Sequence, residues 1–322
     1  MKKLFALVCV LALTLALCAC GVAQPAETTP ATQPEPTEET TPSISSIIKN
    51  AQLQYPASND LFKYNVYDTY VEITEYIGAD DAEEITVPAT LENLPVYEVD
   101  SSVFDKCQVK SIIFEDGIFR IHTDFSFYLE SVTLPATLDF VGYGSFKECH
   151  NLKTVVIPEG IDSIQPQAFM HCDSLTEITI PSTVTRIDSE TFAFCENLET
   201  VNLPEGIKLI DDQAFLGCKS LKSLTIPTTV ETLGASVFQG SGLESIEIPA
   251  NVQEMGHGAF TACENLTVVK VYNAEMKIVP QEGYSVAILF SQCRDDLVVH
   301  GKPASTIAKA CATEDVFFEV MQ

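Results

Sequence analysis

The sequence predicts a repeat solenoid of the α/β type, in which each coil of about 23 residues contributes one short parallel strand and the rest is mostly loop. Three observations lead to this fold class. A proline recurs at nearly constant spacing, apolar residues alternate before each proline, and a phenylalanine follows eleven residues after it. Regular spacing of this kind is typical of stacked units, so we expect one stack with a cap at each end.

The strand of each coil is the run that ends at the proline. The six prolines are separated by 23, 23, 23, 23 and 22 residues: Pro135, Pro158, Pro181, Pro204, Pro227 and Pro249. Before Pro158, apolar Val155 and Ile157 recur with the period of two that a half-buried strand requires. Proline has no N–H with which to continue a ladder, so each strand should end there.

The rest of each coil carries further apolar residues at fixed distances from the proline. After Pro158 they are Ile161, Ile164 and Phe169. A unit this short cannot bury such residues alone and has to stack on its neighbours. We therefore expect strands about 4.8 Å apart and an internal column of phenylalanine rings.

The pattern weakens towards both ends, where caps should cover the open strand edges. We expect an N-terminal segment and cap over 45–100, with an antiparallel hairpin and the first coil within 62–99. The leucine-rich coils should then occupy 101–272. Residues 273–322 are predicted to form a degenerate repeat, with an insertion around 274–283, and a C-terminal cap.

The C-terminal cap has three predicted elements. A last strand should lie at 297–299 and a short helix near 305–312. A closing strand is expected at 316–320, where apolar residues return.

The consensus of the coils, Leu-x-x-Ile-x-Ile-Pro-x-x-Val-x-x-Ile-x-x-x-Ala-Phe-x-x-Cys, resembles the BspA-like, or Treponema-type, leucine-rich repeat. The resemblance covers roughly 62–322, with at least six good copies. It implies a right-handed stack and a protein that is secreted or attached to the surface of a bacterium. Some members of that family act as adhesins that bind proteins of a host or a neighbouring cell.

The N-terminus reads as a lipoprotein signal peptide over 1–19. It has two early lysines and an uncharged apolar run that is short for a membrane span. The run ends in Leu17-Cys18-Ala19-Cys20-Gly21, which resembles the lipobox of bacterial lipoproteins. That resemblance implies lipidation at Cys20 and anchoring to the extracellular face of the bacterial cell membrane. The alternative is an ordinary cleaved signal in which Cys20 is incidental.

A tether should follow at 20–44. Residues 21–44 contain five Pro, six Thr, four Glu and no Lys, Arg or aromatic residue. Such a composition cannot offset its ordering entropy by burial and favours an extended spacer.

The charge balance excludes some partners. The chain has 18 Lys and Arg against 45 Asp and Glu, a net charge of −27. Nucleic acid is held by clustered basic residues, so it is not expected as a partner. We expect contact with a membrane only through the lipid anchor.

Seven cysteines lie three residues after a phenylalanine: Cys107, Cys149, Cys172, Cys195, Cys218, Cys263 and Cys293. Zinc sites use cysteines two to four residues apart, and these are at least 23 apart. We interpret them as a column of small buried thiols. Disulfides between adjacent coils are the alternative, although parallel Cβ vectors suit the required torsion poorly.

The sequence predicts no catalytic residue, metal site or cofactor. The five histidines fall at unrelated positions of the repeat, so no histidine cluster is expected. An enzyme would have to place its site in the caps, near His300 or within 274–296, where irregular loops can form a pocket.

The candidate binding face consists of the outward strand positions: Thr154, Val156, Glu177, Thr179, Thr200, Asn202, Ser223, Thr225, Ser245 and Glu247. A rigid ladder of hydroxyl and amide groups can bind a protein or a glycan. The competing interpretation is that β-branched Thr is simply a good exposed strand residue. No aromatic anchor is apparent in this ladder.

We therefore predict a monomeric, non-enzymatic, cell-surface binding module that recognises a protein or glycan partner. A cell-wall spacer without a specific ligand is the first alternative, and an enzyme with its site in the caps is the second.

Overall fold

The computed structural model describes five ranges of the chain: 51–100, 103–104, 107–121, 128–282 and 288–321. The predicted signal peptide at 1–19, Cys20 and the tether at 20–44 lie outside these residues. The unit that begins at Gln52 is a mostly-β solenoid of about ten turns, which confirms the predicted fold class.

The described strands and helix follow one another in this order. The first ten strands are β1 Leu53–Ser58, β2 Phe62–Tyr67, β3 Val71–Tyr76, β4 Glu84–Val87, β5 Thr90–Leu91, β6 Leu94–Val99, β7 Ser111–Phe114, β8 Arg120–Ile121, β9 Ser131–Thr133 and β10 Phe140–Val141. The next eight are β11 Thr154–Val156, β12 Ser163–Ile164, β13 Glu177–Thr179, β14 Arg186–Ile187, β15 Thr200–Asn202, β16 Leu209–Ile210, β17 Thr232–Leu233 and β18 Ser245–Ile248. The last elements are β19 Glu254–Gly256, β20 Val268–Val271, β21 Lys277–Val279, β22 Val298–Gly301, α1 Thr306–Glu314 and β23 Phe317–Val320.

The strands that precede the prolines form the predicted parallel ladder. It comprises the sheets β4-β7-β9-β11, β13-β15 and β18-β20-β22-β23. The expectation of a strand in every coil is wrong for one coil, because residues 221–227 before Pro227 form no strand. This gap adjoins the one coil shortened to 22 residues, where Gly242 N–H donates to the carbonyl of Cys218 instead.

A second parallel ladder, which the sequence did not predict, lies six residues beyond each proline. Its main sheet runs β14-β16-β17-β19-β21, with Ile187 paired to Ile210 and Ile210 to Leu233. These strands have only two or three residues each. Each coil therefore bonds to its neighbour along two edges, which fixes its rotation in the stack.

The core contains the predicted column of phenylalanines. Six consecutive ring pairs are stacked, with centroid separations of 5.2, 5.6, 5.5, 5.9, 5.8 and 5.6 Å: Phe146, Phe169, Phe192, Phe215, Phe238, Phe260 and Phe290. The column continues from Phe260 to Phe290 across the predicted insertion. The extra residues of the insertion therefore do not displace the next phenylalanine from the column. Residue 283, at the end of the predicted insertion, lies outside the described ranges.

Backbone hydrogen bonds also join the turns that hold the phenylalanines. Phe169 N–H donates to the carbonyl of Thr191, and His171 N–H to that of Ala193, both at 2.9 Å. In the last coil, Leu289 and Phe290 have no following coil to bond. Their N–H groups donate to the carboxylate of Glu314, at 2.7 Å each.

Each end of the stack has its own elements. At the N-terminal end β2 and β3 form an antiparallel hairpin, and β1 pairs antiparallel with β2. At the C-terminal end α1 begins after Ser305, whose hydroxyl accepts a bond from Ala308 N–H, and stops at Asp315 with φ 57°. The predicted helix near 305–312 is thus confirmed, one to two residues later.

A threonine hydroxyl joins certain consecutive coils through two hydrogen bonds, and we call this contact a threonine clasp. Gly160 N–H donates to the hydroxyl of Thr183, which donates in turn to the carbonyl of Ile161. The same arrangement joins Gly206 to Thr229, 46 residues further on. Over 159–230, coils with the sequence Glu-Gly-Ile after the proline therefore alternate with coils that have Ser/Thr-Thr-Val there, so this part of the stack repeats every two coils.

Candidate functional site

The outward side chains of the first ladder stand in columns, and we call this surface the strand face. Pairing places Thr179 beside Asn202 and Glu177 beside Thr200. The same register places Glu247 beside Lys270. Because neighbouring strands are about 4.8 Å apart, each column repeats a side chain at that interval.

All ten predicted residues of the strand face are exposed. Val156 is the most exposed large apolar side chain among the described residues, at 69%. Ser223 and Thr225 share this exposure but lie in the coil without a strand. Their backbone is therefore not part of the ladder.

The middle of the strand face is cross-linked by side chains. The Asn202 amide donates to Glu177 Oε1 at 3.2 Å and to Thr179 Oγ1 at 3.1 Å. These bonds restrict the rotamers of three side chains before any ligand arrives. A surface ordered in this way loses less side-chain entropy on binding.

The C-terminal part of the strand face carries a polar cluster with an aromatic residue. Glu247 accepts from Lys270 at 2.8 Å and from the hydroxyl of Tyr272 at 3.0 Å. These bonds lower the pKa of Glu247 and raise the pKa values of Lys270 and Tyr272. Tyr272 occupies the place that Pro249 has in the preceding coil, so it adds an aromatic side chain beside the ten predicted positions. Tyr272 directly follows β20, and the alternation of Val269 and Val271 places it outward.

An apolar column lies beside this cluster. Val268, Val298 and Phe317 are adjacent across β20, β22 and β23, and Phe317 is 59% exposed. In the next column His300 lies 3.3 Å from Glu319. The strand face thus changes from threonine-rich in its middle to mixed apolar and charged at its end.

The cysteines of the predicted column lie in the turns that precede the strands of the first ladder, and most of them are fully buried. The thiols of Cys172, Cys195 and Cys218 donate to the phenylalanine carbonyl of the preceding coil, at 3.0 to 3.1 Å. None of the described cysteines forms a disulfide. Burial raises the pKa of Cys172 and Cys218 well above the ordinary value. The thiols fill space and satisfy carbonyls, as the interpretation of a buried column expects.

Two histidines approach each other, contrary to the expectation that the histidines do not cluster. The rings of His150 and His171 are 6.3 Å apart, and His171 stacks on Phe194 at 4.7 Å. His150 Nδ1 lies 2.6 Å from Asp173. His150 lies four residues after Phe146, whereas His171 lies two residues after Phe169. Stacking of the two coils brings these different turn positions together.

A groove of about 730 Å³ lies at the C-terminal cap, where a hidden active site was the second alternative. Three of its polar side chains are already engaged in contacts within the cap. The Cys293 thiol donates to the carbonyl of Phe260, and burial raises its pKa to about 12. Arg294 is paired with Asp296, and Glu314 holds the backbone of the last coil. A protonated thiol is a poor nucleophile.

The described ranges contain neither a metal-binding cluster nor a membrane-spanning helix. No cluster of three or more His, Cys, Asp or Glu side chains there is placed to hold a metal ion. Within the same ranges, no helix is long and apolar enough to cross a membrane.

Stacked coils with two parallel ladders, a phenylalanine column and a thiol column define a leucine-rich repeat protein of the solenoid class. The particular family is also clear. The chain belongs to the family of the BspA type leucine-rich repeat region, whose model matches six copies over 63–176, 97–218 and 186–284.

Solved structures agree with this assignment. A leucine-rich repeat protein from Bacteroides ovatus is 25% identical, with a TM-score of 0.59, over 83% of this chain and 77% of that one. A leucine rich cell surface protein from Faecalibacterium prausnitzii is 20% identical, with a TM-score of 0.54, over 84% of this chain and 96% of that one. No curated protein matches the sequence.

Proposed function

We propose that this protein is a lipid-anchored bacterial surface module that binds a protein or a glycan through its strand face, without catalysis. The family assignment and the cell-surface description of the Faecalibacterium neighbour support a surface location. The lipobox at 17–21 supports an anchor at Cys20. The 24 residues of the tether that follow Cys20, 21–44, would hold the solenoid at most about 70 Å from the headgroups.

The observation that carries the proposal is the pairing register of the first ladder, which places the outward side chains of neighbouring strands side by side. Eight of the ten exposed side chains stand on strands of the first ladder, in coils that a second ladder also joins. Rigid, extended faces of hydroxyl and amide groups suit extended ligands, because each new coil offers the same groups again. Tyr272 and Phe317 add aromatic surface of the kind that dominates binding energy at interfaces.

The binding test compares matched substitutions in the full chain displayed on a bacterial surface. Val156→Asp places a charge in the middle of the strand face, and Val279→Asp places one on the second ladder, where Val279 is 45% exposed. We expect binding to a panel of host and bacterial surface proteins and glycans to fall at least tenfold for Val156→Asp only. Equal effects of both variants would contradict a role for the strand face.

The same experiment separates the ligand classes and the spacer alternative. Protease treatment of a positive target abolishes binding if the ligand is a protein, and periodate treatment abolishes it if the ligand is a glycan. If the protein is a spacer, it would bind no member of the panel. Substituting all ten predicted strand-face residues would then leave the cells that display it unchanged.

The anchor has its own test. Cys20→Ser should release the protein from the membrane fraction and abolish incorporation of labelled fatty acid, whereas Cys18→Ser should do neither. Retention of the Cys20→Ser protein with its label would refute lipidation at Cys20.

A further inference from the structure

The outer edge of β23 is open. β23 ends the sheet β18-β20-β22-β23, and no strand in the described ranges pairs with its other side. Met321 N–H donates to the carbonyl of Gly301 on β22, at 2.8 Å. Alternate residues of a parallel strand direct their N–H and C=O groups to opposite edges. Phe318 and Val320 therefore present two donors and two acceptors outward.

This edge is short, but it lacks three of the usual protections against strand addition, namely proline, lysine and a β-bulge. Natural edge strands are blocked by proline, by lysine or by bulges. At the other end of the molecule, the edge strand β1 contains Pro56 and its pairing with β2 is irregular. β23 has the sequence Phe-Phe-Glu-Val, with no proline and no lysine.

Apolar surface lines both faces of the open edge. Phe317 faces outward beside Val298 and is 59% exposed. Phe318 and Val320 share the opposite face of β23. Phe318 packs on the core, whereas Val320 is 57% exposed. An added strand would cover these side chains and pair the backbone groups at the same time.

The charge around β23 restricts what can bind there. Residues 310–321 contain Glu314, Asp315 and Glu319 and no Lys or Arg. The tether is also acidic, and the N-terminal end of the first ladder carries the acidic run 80–84. Like charges therefore oppose both the chain's own tether and head-to-tail stacking of a second copy.

We propose that the edge of β23 binds an extended segment of a partner protein, in which apolar residues alternate with Lys or Arg, by strand addition. The apolar residues of the segment would cover Phe318 and Val320. Its basic residues would face Glu319. This contact uses the backbone, so it goes beyond the side-chain recognition proposed for the strand face.

The test uses a fluorescent eight-residue peptide of alternating valine and lysine and the purified full chain. A second peptide is N-methylated at every second residue, which removes half of its backbone donors and keeps its charge. We expect the N-methylated peptide to bind about tenfold or more weakly by fluorescence anisotropy. Hydrogen exchange at the amides of Phe318 and Val320 should slow when the unmodified peptide binds.

Two substitutions in the protein complete the experiment. Val320→Pro removes one outward donor and should weaken binding about tenfold, whereas Val320→Thr keeps that donor and should change affinity by less than about threefold. Val156→Asp, far from β23, should leave the affinity for this peptide unchanged. A failure of the strand-face proposal is therefore distinguishable from a failure of this one.

Three outcomes would overturn the proposal. Equal affinity for both peptides would mean that the acidic surface attracts lysine without strand addition. Slowed exchange elsewhere, with none at Phe318 and Val320, would place the peptide at another site. Self-association that Val320→Pro abolishes would show that a second copy occupies the edge.

Discussion

Removing one ring from the middle of the phenylalanine column should destabilise the protein strongly. Phe192 is fully buried, and its ring lies between Phe169 at 5.6 Å and Phe215 at 5.5 Å, nearly parallel to both. Phe192→Ala therefore removes a buried ring and two stacked contacts. Buried Phe→Ala substitutions cost about 3–5 kcal/mol, and we expect the upper part of this range because both neighbouring rings are fixed by their own coils.

The assay is urea and thermal unfolding followed by circular dichroism. At roughly 2–4 °C per kcal/mol for a chain of this size, Tm should fall by about 10 °C or more. Phe290→Ala, at the end of the column with Phe260 as its one stacked neighbour in the described chain, should cost less. Phe317→Ala makes the same chemical change at an exposed ring and should cost about 0.5 kcal/mol or less. Equal losses for Phe192→Ala and Phe317→Ala would refute the column as a source of stability.

Three further predictions address the cap, a turn and the response to pH. Glu314→Gln should cost about 1–2 kcal/mol, because an amide has one acceptor oxygen where the carboxylate uses two, so either Leu289 N–H or Phe290 N–H loses its partner, and hydrogen exchange at these two amides should accelerate while the middle coils stay protected. Gly217→Ala should cost about 1–2 kcal/mol, because φ is +69° and the new Cβ would lie 2.8 Å from Phe194 Cδ1. Adding Phe194→Ala should recover part of that loss in a double-mutant cycle, and strict additivity would contradict the contact. Burial raises the pKa of Cys293 from about 9 to about 12, so the unfolded chain loses this proton first and stability should fall as pH rises through that window. A urea midpoint that stays constant from pH 9 to 12 would contradict this burial.

Much of the fold could be predicted because the determinants repeat. Val155 and Ile157 are apolar residues two positions apart that precede a proline. The same pattern recurs in the other coils, so each coil supports the strand that is predicted for its neighbours. The second ladder was missed for a physical reason. Its strands, such as β14 with Arg186 and Ile187, have two residues, which is too short for a period of two to be visible.

The candidate site was predictable only in part. Exposure of Thr179 and Asn202 follows from the alternation of the strand. The bonds from Asn202 to its neighbours depend on rotamers, and the meeting of His150 with His171 depends on how two different turn positions superpose. Phe317 on the strand face depends on β23 pairing with β22, a tertiary contact between segments that the repeat pattern does not relate.

The threonine clasps have a consequence for changes in length. Excising 159–204, which is 46 residues, would join Pro158 to Glu205 and leave every clasp with its partner. Excising a single coil, 159–181, would instead stack Thr183 on the coil of Thr137, so that a threonine would meet a threonine where it now meets Gly160. Within 159–230, insertions and deletions should therefore be tolerated better when they comprise two coils than when they comprise one.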